Sequence, residues 1–293
     1  MSEYITHLPP QSMWIGIGLL AAAAVSVWLA GRFRLGRIDT LSLFSACVLG
    51  GFIGGRIAWA LLDPALKITH FSTLTLTMLD LRRGGYSSFG AMLGGAAILG
   101  VWGVLSRHQA AHRAGSSVTS DNSQTRATRH TLDVLVLAGL SGLGFARLGC
   151  LANGCDFGRV TQVAWALRYL PGTEAYAHHL MSEQIGWGAP WSLGVHPFAL
   201  YLALGSFGIV LTAATLLSTR TFRPGRIAGW SGIAYLVWRF LAEWTRDPAT
   251  VLVLWGSFNI HHLLTLIGAL ACGLLMALEA RRHAAHRQFP GGV

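Results

Sequence analysis

The chain has 293 residues, of which 53% are hydrophobic and 12% charged, with a formal net charge of +10. Soluble domains carry about 25% charged residues, so this composition cannot cover a water-facing surface, and lipid must be the solvent for much of the molecule. It also argues against a nucleic-acid binder, because the basic residues are spread over short segments between apolar runs, where they act as topology signals and contacts to anionic head groups.

A membrane-crossing helix needs about 20 mainly apolar residues. Seven such runs occur, near 13–31, 42–62, 87–105, 132–151, 196–217, 227–245 and 258–280. The first follows Met-Ser-Glu-Tyr, which lacks the basic region of a secretory leader, so it is expected to persist as a helix. The second and fourth runs carry glycines suited to close helix approach, such as Gly50, Gly51, Gly54 and Gly55. Between the third and fourth, Ser106–His130 is polar and lacks periodicity, which predicts a flexible cytoplasmic loop. Its His108, His112 and His130 read as solvated loop residues. After the fourth run, residues 156–195 contain Trp165, Trp187 and Trp191 and predict a small ordered cap on the outer face. The expected architecture is a single polytopic membrane domain over 1–293, all-α, with about seven transmembrane helices. No internal repeat is visible, which argues against a two-halved transporter.

Lys and Arg residues orient the chain. Arg32, Arg34, Arg37, Arg107, Arg113, Arg126, Arg129, Arg220, Arg223, Arg226, Arg281, Arg282 and Arg287 fall on one side of a seven-span frame. Only Lys67, Arg82, Arg83, Arg159, Arg168 and Arg246 fall on the other. The positive-inside rule then places the N-terminus outside and the C-terminus in the cytoplasm.

Two runs carry arginine within apolar sequence. Arg147 follows a stretch whose only charge is Asp133, and Arg239 precedes Phe240, Leu241 and Ala242. An arginine at mid-membrane costs at least about 2.5–3.5 kcal/mol, so each needs an anionic partner or a wet cavity. Glu243, four residues after Arg239, shares its helix face. That pairing leaves Arg147 without a carboxylate, and a lipid phosphate, which matches a guanidinium fork, would satisfy it. Cys47 and Cys272 lie in apolar runs as small core residues. Cys150 and Cys155 admit three states, namely packed thiols, a disulfide or a redox pair. Two thiolates without fixed histidine spacing do not make a metal site.

The segment Ala146-Arg147-Leu148-Gly149-Cys150-Leu151-Ala152-Asn153-Gly154-Cys155-Asp156-Phe157-Gly158-Arg159 resembles the G-R-x-G-N-F-x-N-G-E-x-x-G signature of the prolipoprotein diacylglyceryl transferase family. Four further segments resemble the family's motifs in order. They are Gly55-Arg56, Gly84 to Gly90, His196-Pro197 with Leu200-Tyr201, and Arg239 to Pro248. The resemblance implies a multi-pass protein of the bacterial inner (plasma) membrane and a transferase that needs no cofactor. It would move the diacylglyceryl group of phosphatidylglycerol to the cysteine thiol of a lipobox-containing preprolipoprotein and release glycerol phosphate. It also implies Arg147, Arg239, Glu243 and His196 as catalytic residues. Arg56, Asn153, Gly154, Gly158, Tyr201 and Arg246 would bind substrate.

The chain departs from the family pattern at several polar positions. Phe89 stands where the family has a histidine, Cys150 and Cys155 replace an asparagine and a glutamate, and Ala199 and Leu202 replace a glutamine and a glutamate. His196, His261 and His262 are the candidate replacement bases. Two alternatives stay open: a family member with another acceptor or donor, or a non-catalytic membrane protein that binds anionic lipid or acts in redox chemistry.

Overall fold

The computed structural model describes residues 10–62, 88–113, 118–219 and 222–288. Lys67, Arg82, Arg83, the Gly84–Ser87 part of the second family-like segment and the side chain of Phe89 lie outside the described residues. Among the described residues the regular structure is helical apart from a small two-stranded sheet. In chain order the elements are α1 (Gln11–Arg32), α2 (Arg37–Leu62), α3 (Ser88–Arg113), α4 (Val118–Asn153), the short α5 (Glu174–Met181), α6 (Phe198–Thr219) and α7 (Arg226–Glu243). The antiparallel strands β1 (Val253–Trp255) and β2 (Phe258–Asn259) and the final helix α8 (Ile260–Gln288) complete it.

Stretches of α1, α2, α4, α6 and α8 are long and apolar enough to cross a membrane. The other two expected spans fall on α3, whose apolar part is limited to Leu93–Ser106, and on α7. Three charged residues, Arg226, Arg239 and Glu243, stand among the 18 residues of α7. Large apolar side chains such as Leu20, Leu61 and Leu270 are more than 60% exposed, an arrangement that hydrocarbon, not water, makes favourable.

Residues 106–113 and 118–130 are helical, not the flexible loop that the sequence predicts. Helix α3 continues to Arg113 and α4 already begins at Val118. Once a helix is nucleated, each added residue gains a hydrogen bond, so polar residues extend both helices beyond their apolar parts without any apolar face to betray them.

The chain divides into two compact units, Met1–Val25 with Leu132–Val293, and Ser26–Thr131. In the second unit α2 packs on α3 backbone to backbone. A Cβ on Gly54 would fall 2.9 Å from Gly94 Cα, and one on Gly51 would fall 3.2 Å from the Ala91 carbonyl. Small residues four apart create this approach, which lets Cα–H groups meet carbonyl oxygens at about 0.5–1 kcal/mol each. Arg56 lies in this unit, 4% exposed, with its guanidinium 4.8 Å from the Trp59 ring centre.

In the first unit α4 packs closely on α1, where a Cβ on Gly18 would lie 2.8 Å from the Gly142 carbonyl oxygen. The carboxylate of Asp133, fully buried on α4, accepts hydrogen bonds from the amides of Gly225 and Ala228, both at 2.8 Å. It thereby caps α7 from a neighbouring helix, satisfying amides that a helix start leaves open. Residues 156–195 form an ordered cap with its own small core of Phe157, Tyr169, Ala175 and Val195. Leu167 and Val195 exchange two backbone hydrogen bonds at 2.9 Å, and Ser192 Oγ accepts from the Tyr169 amide at 2.9 Å.

Candidate functional site

The end of α4, the turn that follows it, the end of α7 and the start of α8 bring the charged residues together. The turn is made by left-handed backbone at Gly154 (φ 70°) and Asp156 (φ 52°). Aspartate is among the few side chains that tolerate this region. The reversal lets Asp156 reach back nine residues to Arg147, with which it forms an ion pair. Its other oxygen accepts from Arg246 at 2.7 Å. The sequence reading left Arg147 without a carboxylate, and the structure corrects that: Asp156 is its partner.

The second carboxylate extends the network. Glu243 Oε2 lies 3.7 Å from Arg239, the expected pairing on one helix face. Oε1 lies 3.7 Å from Arg246 and accepts from Asn259 Nδ2 at 3.3 Å. Arg147, Asp156, Arg246, Glu243 and Arg239 thus form one chain of alternating charge. Three guanidiniums meet two carboxylates, so a single positive charge remains uncompensated. Arg147 and Glu243 are 9% and 1% exposed, and charges so buried persist only when paired. Burial alone would raise the affinity of Asp156 for a proton, but Arg147, Arg246 and Arg239 together outweigh it and hold its pKa below the ordinary carboxylate value. Among the described residues, Arg147 Nε, Arg246 Nε and Glu243 Oε2 are buried without a hydrogen-bond partner. The cluster therefore has both spare charge and spare donors.

Asn259 was not legible as a network member. Asn259 Oδ1 accepts from the amides of His261 at 2.9 Å and His262 at 3.2 Å, which starts α8 and fixes the side chain that reaches Glu243. His262 is a packed core residue boxed by Phe240, Trp244 and Phe258, with Nδ1 accepting from the Asn259 amide at 3.2 Å.

His196 and Tyr201 form a second polar group. The Tyr201 hydroxyl accepts from Trp165 Nε1 at 2.7 Å and lies 3.2 Å from His196 Nδ1. Burial, followed by the charge of Arg159, lowers the pKa of His196, which favours the neutral imidazole. The His196 backbone joins the two groups: its carbonyl accepts from the Gly158 amide at 3.0 Å, and Arg159 donates to the Thr245 carbonyl at 2.8 Å. A Cβ on Gly158 would lie 2.6 Å from His196 and from the Thr245 oxygen, so only glycine allows these three segments to meet.

The remaining expected residues take clear places. Asn153 Nδ2 donates to Glu174 at 3.5 Å, tying α4 to the cap. Cys150 and Cys155 are free thiols, and Cys155 Sγ donates to the Cys150 carbonyl at 3.6 Å. The neighbouring Cys150 thiol, then burial, raise the pKa of Cys155.

The model of the family described as prolipoprotein diacylglyceryl transferase matches residues 5–278. Three similar relatives are each named phosphatidylglycerol–prolipoprotein diacylglyceryl transferase. The one from Geobacter sulfurreducens is 29% identical, covering 92% of this chain and 91% of its own. The one from Sodalis glossinidius is 31% identical over 95% and 93%, and that from Erwinia tasmaniensis 28% identical over 97% and 94%.

Proposed function

Because the chain belongs to the prolipoprotein diacylglyceryl transferase family, we propose that it transfers the diacylglyceryl group of phosphatidylglycerol to the cysteine thiol of a lipobox-containing preprolipoprotein. The observation that carries this reading is the cluster of three arginines around two carboxylates, with its unpaired positive charge and its unpartnered buried Nε groups. In the reaction the acceptor sulfur forms a bond to the glyceryl carbon. The carbon–oxygen bond to phosphate breaks, and its electron pair leaves with glycerol phosphate. The thiol proton passes to a base.

Charge develops on the departing phosphate, and fixed cations stabilise it without reorganising. Arg147 and Arg239 face that charge, with their forks held by Asp156 and Glu243. Arg246 links the two carboxylates and sets the spacing. Of the candidate bases, His261, whose amide is bound by the Asn259 side chain that also reaches Glu243, is the proton acceptor taken here, while His196 and Tyr201 would hold the glycerol head group. Part of the thiol, with an ordinary pKa near 8.5, is already ionised at neutral pH, which lightens the demand on a base. The protein would sit in the bacterial inner membrane with its N-terminus outside and C-terminus in the cytoplasm.

Incubating purified protein with head-group-labelled phosphatidylglycerol and a lipobox peptide tests the reading. Thioether-linked peptide and released glycerol phosphate in equal amounts are expected. A second reading, lipid binding without turnover, draws on Phe89 at the place of the family's histidine. It predicts phosphatidylglycerol binding that Arg147→Ala abolishes, with no glycerol phosphate released by either protein.

A further inference from the structure

The turn that carries Asp156 into the arginine cluster also holds two cysteines. Helix α4 ends at Asn153, and Gly154 continues in left-handed backbone at φ 70°. When a helix ends on a left-handed glycine, the residue after the glycine folds back against the residue four before the glycine. Those two positions are Cys155 and Cys150. Cys155 Sγ accordingly reaches the Cys150 carbonyl at 3.6 Å, and both thiols are free and only partly buried. The turn is also held from outside. A Cβ on Gly154 would lie 2.9 Å from Thr173 Cβ and 3.1 Å from Tyr169, so the cap rests against it.

The two sulfurs have different surroundings. Gln11 Nε2 donates to Cys150 Sγ at 3.9 Å. Arg147, three residues earlier on the same side of α4, adds a positive charge beside it. A sulfur with a cation and an N–H donor as neighbours is placed to act as a nucleophile. Around Cys155 the balance is reversed. The Cys150 thiol, then burial and the charges of Glu174 and Asp156, keep Cys155 protonated. One sulfur is thus placed to attack an oxidant and the other to attack the product, the division of labour on which thiol–disulfide exchange depends.

We propose that Cys150 and Cys155 are a redox-active pair whose disulfide locks the turn that presents Asp156 to Arg147 and Arg246. The proposal does not depend on the transferase reading. Its oxidant is the disulfide of a protein or small molecule outside the membrane, where the proposed topology puts the end of α4. The Cys150 thiolate attacks one sulfur of that disulfide. The oxidant's S–S bond breaks, and its electron pair leaves on the other sulfur, which takes the proton that Cys150 released. Cys155 then gives up its proton and attacks the Cys150 sulfur of the mixed disulfide, and the second oxidant thiol departs with that proton. Two electrons and two protons pass from the pair to the oxidant. The new bond sits one residue before Asp156, whose left-handed backbone (φ 52°) and two arginine partners already confine it.

Trypsin isolates the pair, because it cuts after Arg147 and Arg159 and residues 148–159 contain both cysteines with no Lys or Arg between. Full-length protein is equilibrated with mixtures of reduced and oxidised glutathione, quenched in acid, alkylated and digested. At oxidising ratios the peptide is expected to lose two hydrogens and take no alkyl group, and dithiothreitol should restore both thiols. The midpoint of thermal unfolding should rise by about 4–8 °C on oxidation. Cys150→Ser and Cys155→Ser should each abolish that rise. Asp156→Asn should lower the midpoint less in oxidised than in reduced protein, because the bond then holds the turn that the ion pair otherwise holds. A peptide that keeps both thiols at every ratio, or that stops as a glutathione adduct on Cys150, overturns the pair. So does a rise in midpoint that survives Cys155→Ser. An equal drop for Asp156→Asn in both states overturns the link to Asp156.

Discussion

Replacing Asp156 by asparagine keeps the shape of the side chain and removes the charge that joins Arg147 to Arg246. Removing one partner of a buried ion pair costs about 3–5 kcal/mol, because the other charge stays buried. The Asp156 side chain is 23% exposed and the two arginines 11%, so some water relieves the loss, and about 2–3 kcal/mol is the expected cost. At roughly 2–4 °C per kcal/mol for a chain of this size, the midpoint of thermal unfolding in detergent should fall by about 4–12 °C. Turnover should fall further, because Arg147 and Arg246 would no longer be held in place. Losing a preorganised charge stabiliser lowers kcat by about 10²–10³. The assay is release of glycerol phosphate from phosphatidylglycerol, with bound lipid quantified beside it. A variant with wild-type midpoint and wild-type kcat would refute the network as described.

The pH dependence of the same pair of proteins gives a second check. The folded pKa of Asp156 lies below its ordinary value, so its stabilisation is complete above the unfolded pKa of about 3.9 and is lost as pH falls through the folded value. The midpoint difference between wild type and Asp156→Asn should therefore be flat from pH 8 to pH 5 and shrink below about pH 4. Arg239→Lys keeps the charge but not the planar fork; kcat/KM should drop at least about tenfold while the midpoint moves by less than about 3 °C. His261→Ala should lower kcat by about 10²-fold, the scale of general-base catalysis, and flatten the low-pH limb of the rate profile. A normal limb in that variant would assign the proton elsewhere. Gly158→Ala forces a Cβ against His196 and Thr245 and should cost about 1–3 kcal/mol, read as a lower midpoint with Asn259 and Glu243 unaltered in sequence.

The parts of this site that were legible in the sequence are those that follow from local rules. Arg147 and Arg239 stood out because a charge in an apolar run must find a partner, and Glu243 because residues four apart share a helix face. Asp156 was invisible for a specific reason. Its reach to Arg147 depends on left-handed backbone at Asp156 itself, and its second partner, Arg246, is 90 residues away. The network role of Asn259 depends on how α8 begins, which no hydropathy pattern encodes. Polar helix and polar loop look alike without an apolar stripe, so residues 118–130 were misread as loop. The Asp133 cap was hidden similarly, since a carboxylate in an apolar run shows a need for donors but not that the start of α7 would supply them.

The pairing of Arg147 with Asp156 and of Arg239 with Glu243 also bears on how the chain enters a bilayer. Arg147 and Arg239 each have a carboxylate within nine residues along the chain. A translocating segment can therefore present itself as nearly neutral before any other helix has arrived, which removes much of the insertion penalty for a lone guanidinium. Arg246 is different. It has a carboxylate of its own segment at 3.7 Å, but its shorter contact, at 2.7 Å, is to Asp156 on a segment made earlier. That cross-link can form only once both segments are in place, so the charge cluster cannot close before the segment that carries Arg246 has joined the one that carries Asp156.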